Sequence, residues 1–418
     1  MKKELLAPKY AREFMCTGPK CPEDCCQENW TINIDTKTYE LYQKDLKLNA
    51  LVMPHMQVNN SRQTKDANPA TFKHKPVTGG CSLQLANGLC KIQKEFGEKA
   101  LSATCAIYPR IYNALGSDQL ISMSESCPEI AKVLITDPVA LQLEFGEVNV
   151  WDRMIFQNET EFNTQYQERY HLLQGLISIL QHRKLSFEMR LFVCSLLIPR
   201  ADTLLQQLNS EPDSSEANPS EADNSKQSMK ALLQNFYTLI DDGYFNNQAN
   251  QLNNAEPSGL DLVILQDLMT EKKQKNEFSL ILAKTLLSLG ATRSEDLNYE
   301  TVDKLQALRS QWLTPFEQEY PHAFENIVVN WLLQSLFPIN NIRLADGWLN
   351  ITTRYLLLRT LLTGVAAFNQ GLNLKTATHC LYHFGRNLSN SGQLKRLLLE
   401  LVGKGQNQPA AFIRSLKL

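Results

Sequence analysis

The chain has 418 residues, of which 43% are hydrophobic and 21% are charged, and its 42 basic and 44 acidic side chains give a formal net charge of −2. This length predicts two to three domains, with enough apolar surface to form a core without disulfide bonds. The near-neutral balance argues against a nucleic-acid-binding protein, because such proteins carry a clearly basic face.

The N-terminus has no pattern typical of secretion. In Met1–Tyr10 only three apolar residues in a row precede Pro8, against roughly 7–15 in a signal peptide. The longest apolar run, Tyr355–Phe368, is interrupted by Arg359 and is shorter than the ~20 residues that span a bilayer. We therefore expect a cytoplasmic protein whose thiols stay reduced.

The cysteines are concentrated in the first third of the chain. Eight of the ten are Cys16, Cys21, Cys25, Cys26, Cys81, Cys90, Cys105 and Cys127. In a secreted protein they would indicate four disulfide bonds, but without an export signal this density favours metal or cluster ligation.

The spacing of these cysteines bears on the choice of metal. A structural zinc site usually shows two short C-x2-4-C pairs, and only the group at 16–26 approaches that pattern. All-thiolate ligation from separate loops favours an iron–sulfur cluster, and eight thiols suffice for one cluster or for two. Cys25 and Cys26 point in different directions in most backbone conformations, so one of them is a spare thiol, a redox partner or a ligand elsewhere.

Four sequence blocks around these cysteines carry a family resemblance. The blocks are C-x4-C-x3-C-C at 16–26, GCSL at 80–83 with GLCKIQ at 88–93, LSATCAIYPR at 101–110, and SCPE at 126–129. Together they resemble the flagellin lysine-N-methylases of enteric bacteria, whose N-terminal halves share a cysteine-rich iron- or zinc-chelating module with many small bacterial proteins. The length and the segments at 330–338 and 355–359 extend the similarity over most of the chain.

The resemblance implies an activity and two cofactors. It implies transfer of a methyl group from S-adenosylmethionine to the ε-amines of surface lysines on flagellin, with a 4Fe-4S cluster held by the cysteines. The C-x3-C-x2-C triplet of radical enzymes that use the same methyl donor is absent, because Cys26 directly follows Cys25. A non-enzymatic iron–sulfur or zinc-binding protein, for electron transfer or as an adaptor, stays open as the alternative.

Beyond residue 150 the apolar residues recur at steps of three and four, which predicts helices. One predicted face consists of Tyr166, Tyr170, Leu173, Ile177 and Leu180, and another of Phe324, Ile327, Val328, Trp331 and Ser335. No alternating strands and no G-x-G-x-x-G after a strand are evident, so the doubly wound methyltransferase sheet is not supported. We predict a mainly α protein, in which a helical body carries a loop-rich N-terminal cysteine module that binds an iron–sulfur cluster.

Four sections follow from composition. Residues 1–135 form the cysteine module, 136–208 a first helical section, and 259–418 a second helical section that packs with the first as one domain or stands apart. Between them, 209–258 is a polar linker or mobile insertion, since its stretches at 209–228 and 246–258 are too poor in apolar residues to offset their ordering entropy.

Several residues are candidates for the methyl-transfer site. The sulfonium of the donor is a cation that aromatic faces attract, and the candidates by residue type are Trp30, Tyr108, Tyr112 and Trp348. Arg110 follows Tyr108 closely and is a candidate for pairing with the donor carboxylate or an anionic cluster, with a surface ion pair as the alternative. Glu125 and Glu129 flank Cys127 and are unranked candidates for accepting the lysine proton.

The partners are predicted from charge and resemblance. Residues 44–110 contain ten basic and four acidic side chains, which suits an acidic partner or peripheral contact with the anionic inner membrane. A solvated face whose charge offsets the acidic linker is the alternative. Flagellin is the predicted partner, nucleic acid is not, and the oligomeric state is open.

Two cysteines and two histidines lie outside these blocks, and a structural role is predicted for each of them. Cys194 and Cys380 lie among apolar residues and are predicted to be core thiols. His379 and His383 are four residues apart, so they share one face of a helix and are candidate metal ligands. Because no third ligand besides Cys380 lies nearby in sequence, a structural role is favoured.

Overall fold

The computed structural model describes residues 2–27, 30–59, 68–76, 79–115, 118–149, 156–160, 164–210, 228–246, 248, 259–269, 276–341, 343–388, 392–403 and 409–416. The predicted polar linker lies largely outside the described residues, as do residues 60–67 of the basic segment.

In the residues that the structure describes, eight strands form two separate sheets. The strands are β1 (Lys2–Pro8), β2 (Asn33–Ile34), β3 (Met56–Val58), β4 (Ala70–Phe72), β5 (Arg110–Leu115), β6 (Asp118–Met123), β7 (Leu143–Asn149) and β8 (Phe156–Thr160).

Helices make up most of the described chain. They are α1 (Lys9–Glu13), α2 (Thr36–Lys44), α3 (Leu46–Val52), α4 (Lys91–Phe96), α5 (Ala103–Ile107), α6 (Pro128–Thr136), α7 (Thr164–Leu180), α8 (Phe187–Ser210), α9 (Met229–Asp241), α10 (Leu260–Met269), α11 (Glu277–Leu289), α12 (Tyr299–Leu308), α13 (Thr314–Glu319), α14 (Ala323–Ser335), α15 (Leu344–Asn369), α16 (Leu374–Leu388), α17 (Gly392–Gly403) and α18 (Pro409–Leu416). A π-helical turn, Arg309–Leu313, separates α12 from α13.

The larger sheet joins distant parts of the chain in the order β7-β1-β6-β5-β8. Strand β1 pairs antiparallel with β7 from Lys2↔Asn149 to Pro8↔Leu143, and parallel with β6. Strands β5 and β6 form an antiparallel hairpin, and β8 runs parallel to β5. No pattern in the sequence predicted this mixed sheet, which differs from the doubly wound parallel sheet of common methyltransferases.

The predicted mainly helical class is confirmed, and both predicted helical faces lie on helices. Helix α7 carries the first face and α14 the second. On α14 the side chains from Phe324 to Trp331 are buried, whereas Ser335 is exposed. Helix α15 is buried along most of its 26 residues, so it runs through the interior of the helical body.

The buried apolar residues form two cores. The small core contains residues between Ile32 and Ala106, around the three-stranded sheet β2-β4-β3. The large core combines the five-stranded sheet with the helices from α6 onward. Ile107 packs against both cores, so the two meet at the end of α5. The domain boundaries stay predictions.

Part of the predicted linker segment is structured. Between its two undescribed ranges the chain forms α9. At the start of this helix the Ser228 side chain accepts a hydrogen bond from the Ala231 N–H. Met229, Leu233 and Phe236 on this helix are buried in the large core. In the described part of the chain, no helix combines the length and the apolar character that crossing a bilayer requires.

Candidate metal centre

The loop at residues 24–27 and the loop at 80–90 are held together at the cysteines. The Cys81 N–H donates to the Cys26 carbonyl at 2.6 Å, and the Asp24 carboxylate accepts from Gln84 Nε2 at 2.8 Å. A Cβ at Gly80 would lie 3.0 Å from the Cys26 carbonyl oxygen. The close approach of the two loops therefore requires glycine at this position.

The short helix α5 brings Cys105 to the same place. Asp35 caps α2 by accepting from the Thr38 N–H, and its other oxygen accepts from the Ala103 N–H at 2.9 Å. The Thr104 hydroxyl donates to the Asn33 carbonyl at 3.2 Å. These bonds anchor the start of α5 to the small sheet, and Cys105 lies in the middle of this helix.

Five thiols from three segments are close enough to change one another's ionisation, and we call them the five-thiol group: Cys25, Cys26, Cys81, Cys90 and Cys105. Burial raises the pKa of Cys81 and of Cys90, and it raises the pKa of Cys105 to about 12. The Cys26 thiol donates a hydrogen bond to Cys25, which lowers the pKa of Cys25 and raises that of Cys26.

The mutual repulsion within the five-thiol group has a chemical consequence. Negative charge on Cys25 raises the pKa of Cys81, Cys90 and Cys105, so several thiolates are costly there without a cation. A bound metal centre would remove that cost, because coordination deprotonates thiols outright. The donor set therefore fits a soft, thiolate-binding centre.

The other three predicted ligands, Cys16, Cys21 and Cys127, form a second group beside the first, which we call the three-thiol group. Burial, with smaller contributions from the charges of Cys21 and Cys16, raises the pKa of Cys127 to about 12. Negative charge on Cys25 also raises the pKa of Cys21, so the two groups are neighbours. All ten cysteines are free thiols, and Cys194 and Cys380 are buried in the large core as predicted.

Of the four aromatic candidates, two lie near the thiols. The rings of Trp30 and Tyr108 meet edge to face at 4.8 Å, and the Tyr108 hydroxyl lies 3.1 Å from Ser126 Oγ. Burial raises the pKa of Tyr108, and smaller increases come from Cys127 and Cys25, one member of each thiol group.

The remaining candidates from the sequence have other surroundings. Tyr112 and Trp348 are core residues, and Trp348 Nε1 donates to Ser195 Oγ at 2.9 Å. The Arg110 guanidinium lies 5.3 Å from the centre of the Phe14 ring, and its buried Nε has no hydrogen-bond partner among the described residues. A role for Arg110 or Tyr108 in donor binding stays a prediction.

The two acidic candidates differ in their surroundings. Glu125 is fully buried and accepts hydrogen bonds from Trp331 Nε1 at 3.0 Å and from Gln334 Nε2 at 2.6 Å. These bonds fasten the segment before Cys127 to α14. Glu129 accepts from the Thr17 hydroxyl at 3.3 Å and, as a negative charge, raises the pKa of Cys21.

Helix α16 docks against both thiol segments through Arg386. The Arg386 guanidinium donates to the Glu23 carboxylate at 2.8 Å, to the Glu23 carbonyl at 3.0 Å and to the Ser126 carbonyl at 3.0 Å. A Cβ at Gly385 would lie 2.9 Å from the Ser126 nitrogen. Sequence reasoning missed Glu23 and Arg386, because 363 residues separate them and neither lies in a recognisable pattern.

The fold and the site together define a two-part protein, in which a thiol-rich module is docked on a helical body. Residues 174–413 match the model of the FliB lysine N-methylase C-terminal domain, and the chain belongs to this family. The family resemblance is thus confirmed, whereas iron binding by the cysteine module is not tested by this match.

Three relatives show how the similarity is distributed. A lysine-N-methylase of Salmonella choleraesuis (strain SC-B67) is 24% identical over 406 residues, which covers 92% of each chain. A lysine-N-methylase of Salmonella typhimurium (strain LT2) is 30% identical over 141 residues, 32% of this chain and 33% of that protein. The flagellar biosynthetic protein FliU of Salmonella muenchen is 30% identical over 151 residues, 35% of this chain and 84% of that protein. No solved structure matches the chain.

Proposed function

We propose that the protein is a protein-lysine N-methyltransferase that transfers the methyl group of S-adenosylmethionine to lysine ε-amines of flagellin and requires a 4Fe-4S cluster. The observation that carries the proposal is the similarity to a lysine-N-methylase over 92% of the chain, which includes both the thiol-rich module and the helical body. The name of the FliU relative supports a flagellar substrate.

The five-thiol group is the proposed cluster site. Its donors are thiols from three segments, and iron–sulfur clusters are held by four cysteine thiolates. Five thiols supply the four ligands with one left over, which agrees with the expectation that Cys25 or Cys26 is a spare. A cluster bound there would supply redox-active iron close to Tyr108.

The residues of the chain have three tasks in methyl transfer. The site must hold the sulfonium, keep the lysine amine neutral and exclude water. The half-buried rings of Trp30 and Tyr108 are suited to the first task, because an aromatic face attracts a cation by about 0.5–2 kcal/mol.

The test uses anaerobically purified full-length protein with S-adenosylmethionine and flagellin. Mass spectrometry of flagellin should show methylated lysines, and Tyr108→Ala should reduce methylation strongly while Tyr112→Phe in the core should not. Failure of the wild-type protein to bind S-adenosylmethionine, together with unmodified flagellin, would leave the non-enzymatic iron–sulfur or zinc-binding role.

A further inference from the structure

Helix α16 and the loop between Cys21 and Cys25 bring two imidazoles and one carboxylate together. His379 and His383 lie one helical turn apart, with ring centres 4.5 Å from each other. Glu23 Oε1 lies 3.3 Å from His383 Nε2 and 3.7 Å from His379 Nε2. The ligand atoms of these three residues all lie within 4.8 Å of one another.

We propose that Glu23, His379 and His383 bind a divalent transition-metal ion, with Zn²⁺ the expected one, at a site separate from the thiol groups. The sequence shows two of these ligands at helical spacing, and the fold adds the third from 360 residues away. Two imidazoles and one carboxylate are a ligand set that proteins use for catalytic zinc and for non-haem iron(II).

The distances fit one ion. With Zn–N of 2.0–2.1 Å and Zn–O of 2.0–2.2 Å, tetrahedral geometry puts the ligand atoms about 3.4 Å apart. The observed separations of 3.3 and 3.7 Å between Glu23 Oε1 and the two Nε2 atoms are within a few tenths of that edge. All three ligand atoms lie within 4.8 Å of one another, so side-chain rotation would have to bring the most distant pair closer on binding.

The carboxylate is oriented toward the histidines by its neighbours. Arg386 Nη1 donates to Glu23 Oε2 at 2.8 Å, and His383 Nε2 lies 3.2 Å from the same oxygen. Oε1 lies within 4 Å of the Nε2 atoms of both histidines. The Tyr382 hydroxyl also donates to this carboxylate. The Arg386 guanidinium carbon lies 4.8 Å from the centre of the Tyr382 ring. Outer hydrogen bonds of this kind fix the orientation of metal-binding carboxylates.

The charge around the site is balanced. Arg386 disfavours a second cation nearby, but Glu277 Oε2 lies 3.8 Å from His379 Nε2 and adds a negative charge. His379 and Glu23 keep about a third of their side-chain surface exposed, whereas His383 keeps 6%. Three protein ligands with one accessible side leave a coordination position for water or a substrate group.

The experiment measures metal binding to full-length protein purified anaerobically with its iron retained. Zinc content is determined first, and the chelated protein is then titrated with Co²⁺ as a spectroscopic probe. Wild-type protein should bind one Co²⁺ with visible bands typical of nitrogen and oxygen ligands. The His379→Gln variant should bind that ion at least about 100-fold more weakly, because it loses a direct ligand.

Controls separate this site from the thiols and from misfolding. His379 is half-exposed, so His379→Gln should fold normally, and iron and sulfide contents report that the cysteine module is intact. His182→Gln, a histidine away from the site, should bind Co²⁺ as the wild type does. Tyr382→Phe removes a hydrogen bond to Glu23 and should weaken binding about 10-fold.

Two results would overturn the proposal. Equal Co²⁺ binding by wild-type protein and His379→Gln would mean that Glu23 and the histidines form an ion pair only. A spectrum dominated by thiolate-to-cobalt charge transfer, unchanged in His379→Gln, would place the ion on cysteines. Neither readout depends on methylation, so the outcome is independent of the proposed function.

Discussion

Buried polar groups have different neighbours in the helical body and in the small core of the cysteine module. In the helical body, Glu325 is fully buried and bonded to Arg190 at 2.6 Å, and Arg309 pairs with Asp261 at 3.2 Å. In the module, Cys81 is a member of the small core, and Cys26, Cys90 and Cys105 pack against it. These two pairs in the body join opposite charges, whereas thiolates in the module repel one another.

This difference indicates what each region needs in order to fold. The large core is continuous over the sheet and the helices, so packing alone supplies its stability. The small core is built around short strands of two or three residues, and metal binding would contribute directly to its folding free energy. Perturbing the thiols should therefore affect the module, and perturbing the ion pairs should affect the body.

The largest expected effect follows loss of a five-thiol ligand. Cys105→Ser should lose most of the bound iron and nearly all methylation, because α5 holds Cys105 in place and the spare thiol, Cys25 or Cys26, lies on another segment. Cys194→Ser, in the large core, should keep its iron. Iron and sulfide analysis of anaerobic protein, with flagellin methylation in parallel, measures both.

The same iron and sulfide assay tests whether the five-thiol group alone binds the cluster. From sequence alone all eight clustered cysteines are candidate ligands, and the variants expected to lose the most iron are those of Cys21, Cys25, Cys81, Cys90 and Cys105. In the structure Cys21 lies with Cys16 and Cys127 in the three-thiol group. The two expectations differ for Cys21→Ser, which keeps its iron if the five-thiol group alone binds the cluster. Iron loss from Cys21→Ser as complete as from Cys105→Ser would instead indicate that both groups bind metal.

A second prediction concerns the helical body. Glu325→Gln leaves the Arg190 guanidinium buried without its charged partner, and loss of one partner of such a pair costs about 3–5 kcal/mol. Denaturant unfolding of the body should show this loss while iron content is unchanged. Glu40→Gln breaks the exposed pair with Lys44 and should change stability by less than about 0.5 kcal/mol. Equal effects of the two substitutions would contradict the assignment.

A third prediction tests the contact between the two regions. Gly385→Ala places a methyl group 2.9 Å from the Ser126 nitrogen, so α16 must shift, at a cost of about 1–3 kcal/mol. Hydrogen exchange should increase in α16 and in the segment around Ser126 together. Lys375→Ala, on the exposed face of the same helix, is the matched control. No change in exchange around Ser126 would show that the docking tolerates the added methyl group.

The smallest expected effect is pH-dependent. The backbone N–H groups of Thr292 and Arg293 and the Thr292 hydroxyl donate to the Asp296 carboxylate, which lowers its pKa. Because the folded-state pKa lies below the unfolded value of about 3.9, this stabilisation is present above that value and is lost as the pH falls through the folded-state pKa.

Asp296→Asn should therefore lower the thermal midpoint at pH 7 slightly, and the difference from wild type should shrink below about pH 4. A difference that stays constant over this range would mean that the charge of Asp296 does not contribute.

The helices and the thiol-rich region could be predicted because their patterns lie between residues that are close in sequence. The periodic apolar residues of α7 and α14 each lie on one helix, and the density of cysteines pointed to one thiol-rich region. The larger sheet was missed, because β1 (KKELLAP) and β7 (LEFGEVN) contain charged residues and pair across about 140 residues of sequence. The contacts of Glu23 with α16 span 360 residues, a separation at which no local pattern exists.

The most direct test of the account is the metal content of anaerobically purified wild-type protein. The account predicts about four iron and four acid-labile sulfide per chain, with the absorption spectrum of a 4Fe-4S cluster that Cys105→Ser abolishes and Cys194→Ser preserves. Zinc in place of iron and sulfide, or cysteines joined pairwise as disulfides in the active protein, would contradict it.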